Sequence, residues 1–182
     1  MSSKTAFVTV GSTKFETLID RLLDDDVLHV LEKYSFNRMI IQIGNGKHKI
    51  LNVDEGKTCL ELIKNNVQII AYKYKQSIRQ DLEQADLVIS HAGAGSVIES
   101  LEANKKLIVV INESLMNNHQ FELADRMYKE GYLLYSRCSN LNIVLEDMLG
   151  KNSKISLKKY EKGQPKLFAQ YLDDYLRNKN VF

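Results

Sequence analysis

The sequence has little cysteine and proline, no long apolar run and no excess of charge of either sign. Its 182 residues contain two cysteines, Cys59 and Cys138, and one proline, Pro165. The cysteines lack CxxC spacing, and the four histidines lack paired-ligand spacing, so we predict no metal site, disulfide framework or cofactor. The position of the proline leaves the preceding chain free to form uninterrupted helices and strands.

The apolar runs and the charge balance exclude two further classes of protein. A typical run, 107–111, has five residues, whereas a membrane-spanning helix needs roughly 20. The first residues lead into a strand-like segment without an apolar signal region, which predicts a cytosolic or nuclear protein. The 25 basic and 23 acidic residues nearly cancel, so we expect no nucleic-acid partner and no global attraction to anionic lipid.

Short β-branched runs alternate with segments of helical apolar spacing, which is typical of an α/β fold with a mostly parallel sheet. Strands are predicted at 6–10, 39–43, 67–72, 87–90 and 107–111, with a further candidate at 132–135. Helices are predicted at about 15–23, 77–84, 96–103 and 119–130, the last ending at Gly131. Segment 50–53 is strand-like, whereas 60–63 fits either a strand or a helix.

The chain length predicts one domain, residues 1–150, followed by a linker and an amphipathic tail, residues 151–182. Beyond Pro165, apolar residues recur at helical spacing with polar residues on the opposite side, which predicts a final helix. The sequence leaves open whether this helix packs on its own domain or docks on a partner.

The first of three candidate binding loops follows the first predicted strand. Ligands of parallel α/β sheets collect at the carboxyl ends of the strands, where helix N-termini offer free N–H donors. Gly11 permits close backbone approach, and the hydroxyls of Ser12 and Thr13 donate or accept hydrogen bonds, so contact with a diphosphate or an acceptor is one interpretation. The alternative is a helix cap.

The second loop, 91–96, joins a buried strand to a helix through a glycine-rich turn. Ser96 is predicted to open the helix, whose first amides suit a diphosphate. Glu99, one turn later, is suited to pair with two vicinal ribose hydroxyls. The alternative for Ser96 and Glu99 is a capping box. The loop lacks the GxGxxG pattern and the distant acidic residue of a dinucleotide site.

The third loop, 112–120, is rich in polar side chains at the point where a helix begins. Its amides, carboxylate and imidazole suit the hydroxyls and N-acetyl group of a sugar, and an ordinary capped loop is the alternative. The run of aspartates at 24–26 is interpreted as a solvated turn at a helix end rather than a metal site.

Four segments, 7–11, 37–44, 86–96 and 110–120, together resemble the catalytic, donor-binding subunits of the eukaryotic two-subunit UDP-N-acetylglucosamine (UDP-GlcNAc) transferase of dolichol-linked oligosaccharide synthesis. The likeness spans roughly residues 5 to 135 in order and spacing. More distantly, the chain is similar to the C-terminal half of the bacterial transferase that forms peptidoglycan lipid II. The resemblance implies a Rossmann-like sheet equivalent to the C-terminal, donor-binding lobe of a GT-B glycosyltransferase.

The resemblance also implies roles for individual residues. It places the diphosphate on the second loop, the ribose on Glu99, and the uracil near Tyr74 and Lys75. His119 and Gln120 fall where the bacterial family has two sugar-binding glutamines, so the histidine is a departure from that pattern. The substrate-binding candidates are Gly11, Ser12, Tyr74, Gly93, Ala94, Gly95, Ser96, Glu99, Asn117, Asn118, His119 and Gln120.

The implied reaction is a metal-free, inverting transfer of GlcNAc from UDP-GlcNAc to a lipid-linked sugar acceptor. A GT-B reaction takes place between two lobes, and this length supplies one. The resemblance therefore implies inactivity alone, and a membrane-anchored partner that supplies the acceptor lobe and recruits the chain to the cytosolic face of the endoplasmic reticulum. His91, Glu113 and His119 are the catalytic candidates on this chain.

Two alternatives remain open from the sequence. The same fold serves the donor subunits of bacterial two-component exopolysaccharide transferases. A non-catalytic nucleotide-binding module would use the crevice to sense a ligand without transferring a sugar.

Overall fold

A seven-stranded sheet with helices on both faces forms the described part of the chain. The computed structural model describes residues 3–46, 59–113, 118–150, 153 and 155–161, with 118–120 described as helical backbone only. The strand-like run 50–53 and the predicted tail helix beyond Pro165 lie outside these ranges.

The elements alternate between strands and helices along most of the chain. In order they are β1 (Lys4–Thr9), α1 (Glu16–Leu22), α2 (Asp25–Lys33), β2 (Phe36–Gln42), β3 (Leu60–Lys64), β4 (Val67–Tyr72), α3 (Arg79–Gln84), β5 (Leu87–His91), α4 (Ala94–Glu102), β6 (Lys106–Ile111), α5 (Asn118–Lys129), β7 (Leu134–Arg137), a 3₁₀ turn (Cys138–Asn140) and α6 (Leu141–Leu149).

The sheet has the strand order β3-β4-β2-β1-β5-β6-β7. All neighbouring strands pair in parallel except β3 and β4, which are antiparallel. Because β2 and β5 lie on opposite sides of β1, the chain reverses its direction of winding at β1. Such a reversal opens a crevice at the carboxyl ends of the strands, where open α/β sheets bind ligands.

Two apolar layers cover the two faces of the sheet, as the alternation of side chains along a strand requires. On β1, Ala6 and Val8 pack with the apolar faces of α1, α2 and α6. Phe7 points to the opposite face and packs with residues of α3, α4 and α5. All three side chains are completely buried, so the central strand is covered on both sides, as expected for a parallel sheet. The predicted α/β fold is confirmed.

The aspartate run at 24–26 begins a helix that the sequence analysis missed. The three side chains are exposed, as predicted for a solvated turn. However, Asp24 is the N-cap position of α2, and Asp25 and Asp26 form its acidic first turn. Arg21 binds Asp26 through two hydrogen bonds of 2.7 Å, which joins the end of α1 to the start of α2. Acidic residues in a first turn favour a helix start.

The ambiguous segment 60–63 is a strand. β3 pairs with β4 through a two-residue turn, Asn65–Asn66, in which both residues have positive φ angles of 47° and 58°. These angles are typical of the I′ turn that matches the twist of a hairpin, and asparagine tolerates them well. The asparagine pair was the sequence signal for this hairpin.

Other predicted boundaries shift by a few residues. The sixth strand lies at Leu134–Arg137 rather than 132–135. The predicted end of the fifth helix at Gly131 is confirmed, because Gly131 has a φ of 83° and its N–H donates to the Tyr128 carbonyl. The next amide, of Tyr132, donates to Met127, which completes a Schellman cap.

Part of the segment beyond α6 packs on the sheet domain. Lys158 N–H donates to the Gly131 carbonyl at 2.8 Å, and the Tyr160 ring makes an edge contact with Tyr132. Leu157 packs against the first apolar layer. Within the described ranges, no helix has the length and apolar character required to cross a membrane.

Candidate functional site

A cleft of about 810 Å³ opens at the carboxyl ends of the central strands and continues between α3 and α4. It brings together loops that lie far apart in the sequence. Six of the predicted binding residues line it: Gly11, Ser12, Tyr74, Gly95, Ser96 and Glu99. The topology therefore places the first and second predicted loops at one site, together with the segment that follows β4.

Helix α4 begins two residues earlier than predicted. Its N-cap position is Gly93, and the first intrahelical hydrogen bond runs from Val97 N–H to the Gly93 carbonyl. Ser96 is thus the third helical residue, so the capping-box interpretation of Ser96 and Glu99 is wrong. The N–H groups of residues 94–96 have no partner within the helix, and this end of the helix faces the cleft.

The helix-cap interpretation of the first loop is also wrong. Helix α1 begins at Glu16, with Phe15 at its N-cap position. Thr13 instead closes the loop on itself, because its hydroxyl and its N–H both donate to the Val10 carbonyl. This leaves Gly11 and Ser12 at the wall of the cleft.

His91, at the end of β5, lies beneath the first two loops rather than in the cleft. His91 is only 8% exposed to solvent. The ring fits between Gly11 and Gly93. A methyl group at Gly93 would overlap the His91 Nε2 atom, and one at Gly11 would lie 2.9 Å from Cε1. His91 therefore sets the spacing between the loops that follow β1 and β5.

The protonation state of His91 follows from its burial. Burial lowers the pKa of the imidazole below its ordinary value of 6.5, and the hydrogen bond to the Thr9 carbonyl opposes that shift only in part. His91 Nδ1 lies 3.4 Å from the Thr9 oxygen, so the neutral ring carries its proton on Nδ1. Burial and packing give His91 a positioning role for the two loops, and its predicted role as a base stays a prediction.

Gly95 differs from the other glycines of the site. A methyl group there would meet no protein atom within 4 Å. Gly95 is also exposed and lines the cleft. One turn along the same face of α4, the exposed carboxylate of Glu99 lines the cleft as well. This side of α4 thus offers free backbone N–H groups and, about one turn away, a carboxylate acceptor.

Gln42 is a cleft residue that the sequence analysis missed. It is the last residue of β2, only 2% exposed, and it accepts a 2.6 Å hydrogen bond from the Thr9 hydroxyl. The same hydroxyl accepts from Gly11 N–H at 3.0 Å. A polar residue directly after the apolar run 39–41 was the available signal. Gln42 and Thr9 together hold the first loop in place.

Charged side chains of both signs surround the groove between α3 and α4. Arg79 pairs with Glu83 at 2.9 Å, and Lys105 donates to the Glu83 carbonyl at 2.9 Å. These three residues line the cleft with Lys75 and Glu102. The place of Arg79, Glu83, Glu102 and Lys105 in the site was not predicted, because only the tertiary structure brings α3 and the end of α4 to one groove.

The third predicted loop is described only in part. Residues 114–117, with Asn117, lie outside the described ranges, and Asn118, His119 and Gln120 form the first turn of α5. Glu113 follows β6, where it pairs with Arg137 at 3.2 Å. Glu113 is absent from the wall of the cleft. Among the described residues, no cluster of His, Cys, Asp or Glu has the arrangement to hold a metal ion.

A family of known proteins matches almost the whole chain. The model of the glycosyltransferase family 28 C-terminal domain matches residues 5–172. The chain belongs to this family. It therefore carries a glycosyltransferase domain, and the predicted equivalence to the C-terminal lobe of a GT-B enzyme is confirmed.

The chain is similar to proteins named UDP-N-acetylglucosamine transferase subunit ALG13. The mouse protein, from Mus musculus, is 47% identical over 139 residues, which cover 76% of this chain and 11% of the mouse protein. The protein from Kluyveromyces lactis is 33% identical over 193 residues, covering 93% of this chain and 96% of that protein. The chain thus corresponds to a small part of the mouse relative and to nearly all of the yeast one.

A solved structure shows the same likeness. The NMR solution structure of ALG13 superposes with a TM-score of 0.67 at 28% identity, covering 92% of this chain and 94% of that one. The resemblance drawn from the sequence segments is confirmed by these relatives.

Proposed function

We propose that this chain is the donor-binding, catalytic subunit of an inverting transferase that moves GlcNAc from UDP-GlcNAc to GlcNAc-diphospho-dolichol. The product is the chitobiosyl lipid of N-glycan precursor synthesis. Membership of glycosyltransferase family 28 and similarity to UDP-N-acetylglucosamine transferase subunits support the donor. The observation that carries the proposal is the cleft at the strand ends, where α4 offers free N–H groups beside Glu99.

The diphosphate and the ribose of a UDP moiety match two features of α4, its free N–H groups and the Glu99 carboxylate. A diphosphate suits the N–H groups of residues 94–96, because a helix N-terminus carries partial positive charge and unpaired donors. The Glu99 carboxylate is an acceptor for the two hydroxyls of a ribose. The sugar would then extend toward Asn117, Asn118, His119 and Gln120, the binding residues proposed at the start of α5.

Direct displacement explains what the helix amides contribute to the reaction. The acceptor hydroxyl oxygen attacks the anomeric carbon, the bond from that carbon to the UDP oxygen breaks, and the configuration inverts. Negative charge grows on the departing diphosphate, which fixed N–H donors stabilise at the moment of reaction. A base must take the proton of the hydroxyl. His91, Glu113 and His119 stay the residues proposed for that role.

A single lobe of a GT-B enzyme leaves the acceptor side of the cleft incomplete. We therefore propose a membrane-anchored partner subunit that binds the lipid-linked acceptor and recruits this chain to the cytosolic face of the endoplasmic reticulum. The relatives named as subunits support this assembly. The proposed division into a domain at 1–150 and a tail at 151–182 gives the tail as one candidate for contact with the partner.

The test is a radiolabel transfer assay on the chain co-expressed with its partner subunit. UDP-GlcNAc, UDP-glucose and UDP-glucuronic acid are compared as donors, with GlcNAc-diphospho-dolichol as acceptor. We expect transfer from UDP-GlcNAc and from neither of the other two donors. We expect no transfer by the chain without its partner. Preference for another donor would favour an exopolysaccharide transferase, and binding without transfer would favour a nucleotide sensor.

Glu99→Gln should weaken donor binding, because the amide keeps one acceptor oxygen and loses the charge. Two charge-assisted hydrogen bonds are at stake, so we expect the KM for UDP-GlcNAc to rise on the order of 10- to 100-fold. Glu130→Gln is the matched control, since Glu130, directly after α5, pairs with Arg126 at 2.6 Å and does not line the cleft. An unchanged KM in Glu99→Gln would overturn the ribose assignment.

A further inference from the structure

Asp81 is a buried carboxylate behind the wall of the cleft. Its side chain is only 7% exposed, and it accepts the Tyr72 hydroxyl at 2.6 Å. The Lys75 ammonium donates to both oxygens of Asp81, at 2.8 and 2.9 Å, and lies 4.1 Å from the centroid of the Tyr72 ring. A buried charge is stable only when it is paired and hydrogen-bonded in this way. We call these three residues the Asp81 cluster.

The Asp81 cluster ties together both ends and the middle of segment 73–78. Tyr72 is the last residue of β4, Asp81 lies in the first turn of α3, and Lys75 lies between them. At its ends the segment also holds Lys73, whose carbonyl accepts from Gly44, and Ser77, whose hydroxyl accepts from Arg79. Across 74–76, the hydrogen bonds within the described part of the chain are those of Lys75 to Asp81.

Residues 74–78 all line the cleft, and we call this segment wall 74–78. The side chains at 74–77 are exposed, so the apolar core does not hold them in place. An exposed segment with few hydrogen bonds of its own samples many conformations, and ordering it on binding costs affinity. Buried hydrogen bonds that hold this segment in place before the ligand binds remove part of that cost.

We propose that Asp81 is a positioning residue for the donor, holding wall 74–78 in its binding conformation through Tyr72 and Lys75. The inference rests on the proposed function, because it takes a nucleotide sugar as the ligand of the cleft. Asp81 itself does not line the cleft. Because the Lys75 ammonium is paired with the Asp81 carboxylate, it brings no unpaired positive charge to the cleft. Its contribution is the fixed position of residue 75 in wall 74–78.

The chain contains a second cluster with the same chemistry, which serves as an internal control. Glu146 on α6 accepts the Tyr34 hydroxyl at 2.6 Å and the Lys33 ammonium at 2.8 Å. The Lys33 ammonium lies 5.3 Å from the centroid of the Tyr34 ring. This cluster joins the end of α2 to α6, and none of its residues lines the cleft.

The experiment compares Asp81→Asn with Glu146→Gln in the complex with the partner subunit. Calorimetry measures the Kd for UDP, and steady-state assays measure KM and kcat for UDP-GlcNAc. Asp81→Asn should raise the Kd and the KM about 10-fold with kcat within about twofold, as loss of preorganised binding requires. Glu146→Gln should leave all three within about twofold.

Tyr72→Phe is the second variant, because it removes one hydroxyl and leaves the Lys75–Asp81 pair. It should raise the KM by a smaller factor than Asp81→Asn does. If Asp81→Asn unfolds below the assay temperature, Tyr72→Phe tests the positioning role by itself. A Kd for UDP that matches the Glu146→Gln value in both cluster variants would overturn the inference, and so would a fall in kcat at constant KM. Failure of the unsubstituted complex to bind UDP would instead overturn the proposed function.

Discussion

The turn from β5 into the first residues of α4 has an inner side and an outer side, and its two glycines, Gly93 and Gly95, have opposite surroundings. On the inner side, Gly93 has no room for a side chain because His91 fills the space. On the outer side, Gly95 has open space around the position of a side chain. The first glycine serves packing within the protein. The second leaves part of the cleft free.

This difference shows how a glycine-rich turn can combine two functions. The inner side joins the loop to Gly11 through the His91 ring, so the loops after β1 and β5 keep a fixed distance. The outer side turns the first amides of α4 toward the cleft. The proposed diphosphate site therefore accounts for only part of this glycine-rich motif, because the space at Gly93 is filled by His91 of the same motif.

Gly93→Ala should have the largest effect, because it strikes the inner side. The added methyl group would displace His91 and, with it, the loop at Gly11. Overpacking of this kind costs about 1–3 kcal/mol. We expect a lower free energy of unfolding in urea and a Kd for UDP raised at least about 10-fold, as misplaced donors imply. If both values stay unchanged, the loop tolerates displacement and the inner side has no positioning role.

Gly95→Ala should separate stability from binding. The methyl group meets no protein atom, and alanine favours a helix over glycine by about 0.5–1 kcal/mol. The melting temperature should therefore stay constant or rise, while the Kd for UDP increases because the methyl group occupies the cleft. Calorimetry and thermal melting of the same preparation measure both. Unchanged affinity would show that the diphosphate does not approach this side of α4.

The smallest effect concerns pH and the buried imidazole. Because the pKa of His91 is lowered from 6.5 in the folded state, the unfolded chain takes up its proton first as the pH falls. The contribution of the neutral His91 ring to the free energy of unfolding is complete above pH 6.5. It is lost as the pH falls from 6.5 through the lowered pKa, at no more than about 1.4 kcal/mol per pH unit. NMR of the His91 ring should give a titration midpoint below 6.5. A midpoint at or above 6.5 would contradict burial of the neutral ring.

Sequence patterns predicted the elements whose signals are local. Strands β1, β2, β4, β5 and β6 lie within a few residues of their predicted positions, because short β-branched runs have few alternatives in a layered fold. The helix end at Gly131 was also predicted from a local signal, because glycine commonly ends helices. Helix α2 was missed because its acidic start was interpreted only as the end of α1.

The site was predicted less completely than the fold. Ser96 and Glu99 satisfy the capping-box pattern, yet the N-cap position is Gly93, so the pattern alone misplaced the cap. Gln42 went unnoticed because its partner, Thr9, is distant along the chain. The partners of Asp81 are near in sequence, but the burial of its carboxylate is a property of the tertiary structure. The roles assigned to Asn117, Asn118, His119 and Gln120 stay predictions.

The amino-acid sequence by itself determined the α/β class, the order of most strands along the chain and the loops that carry polar and glycine residues. Periodicity and turn chemistry depend on neighbours along the chain, so they can be recognised without coordinates. Only the tertiary structure decided that β1 lies between β2 and β5, that His91 separates Gly11 from Gly93, and that the Asp81 carboxylate is buried against Tyr72 and Lys75. Those relations join segments through space, and their energies depend on burial and distance, which linear spacing does not contain.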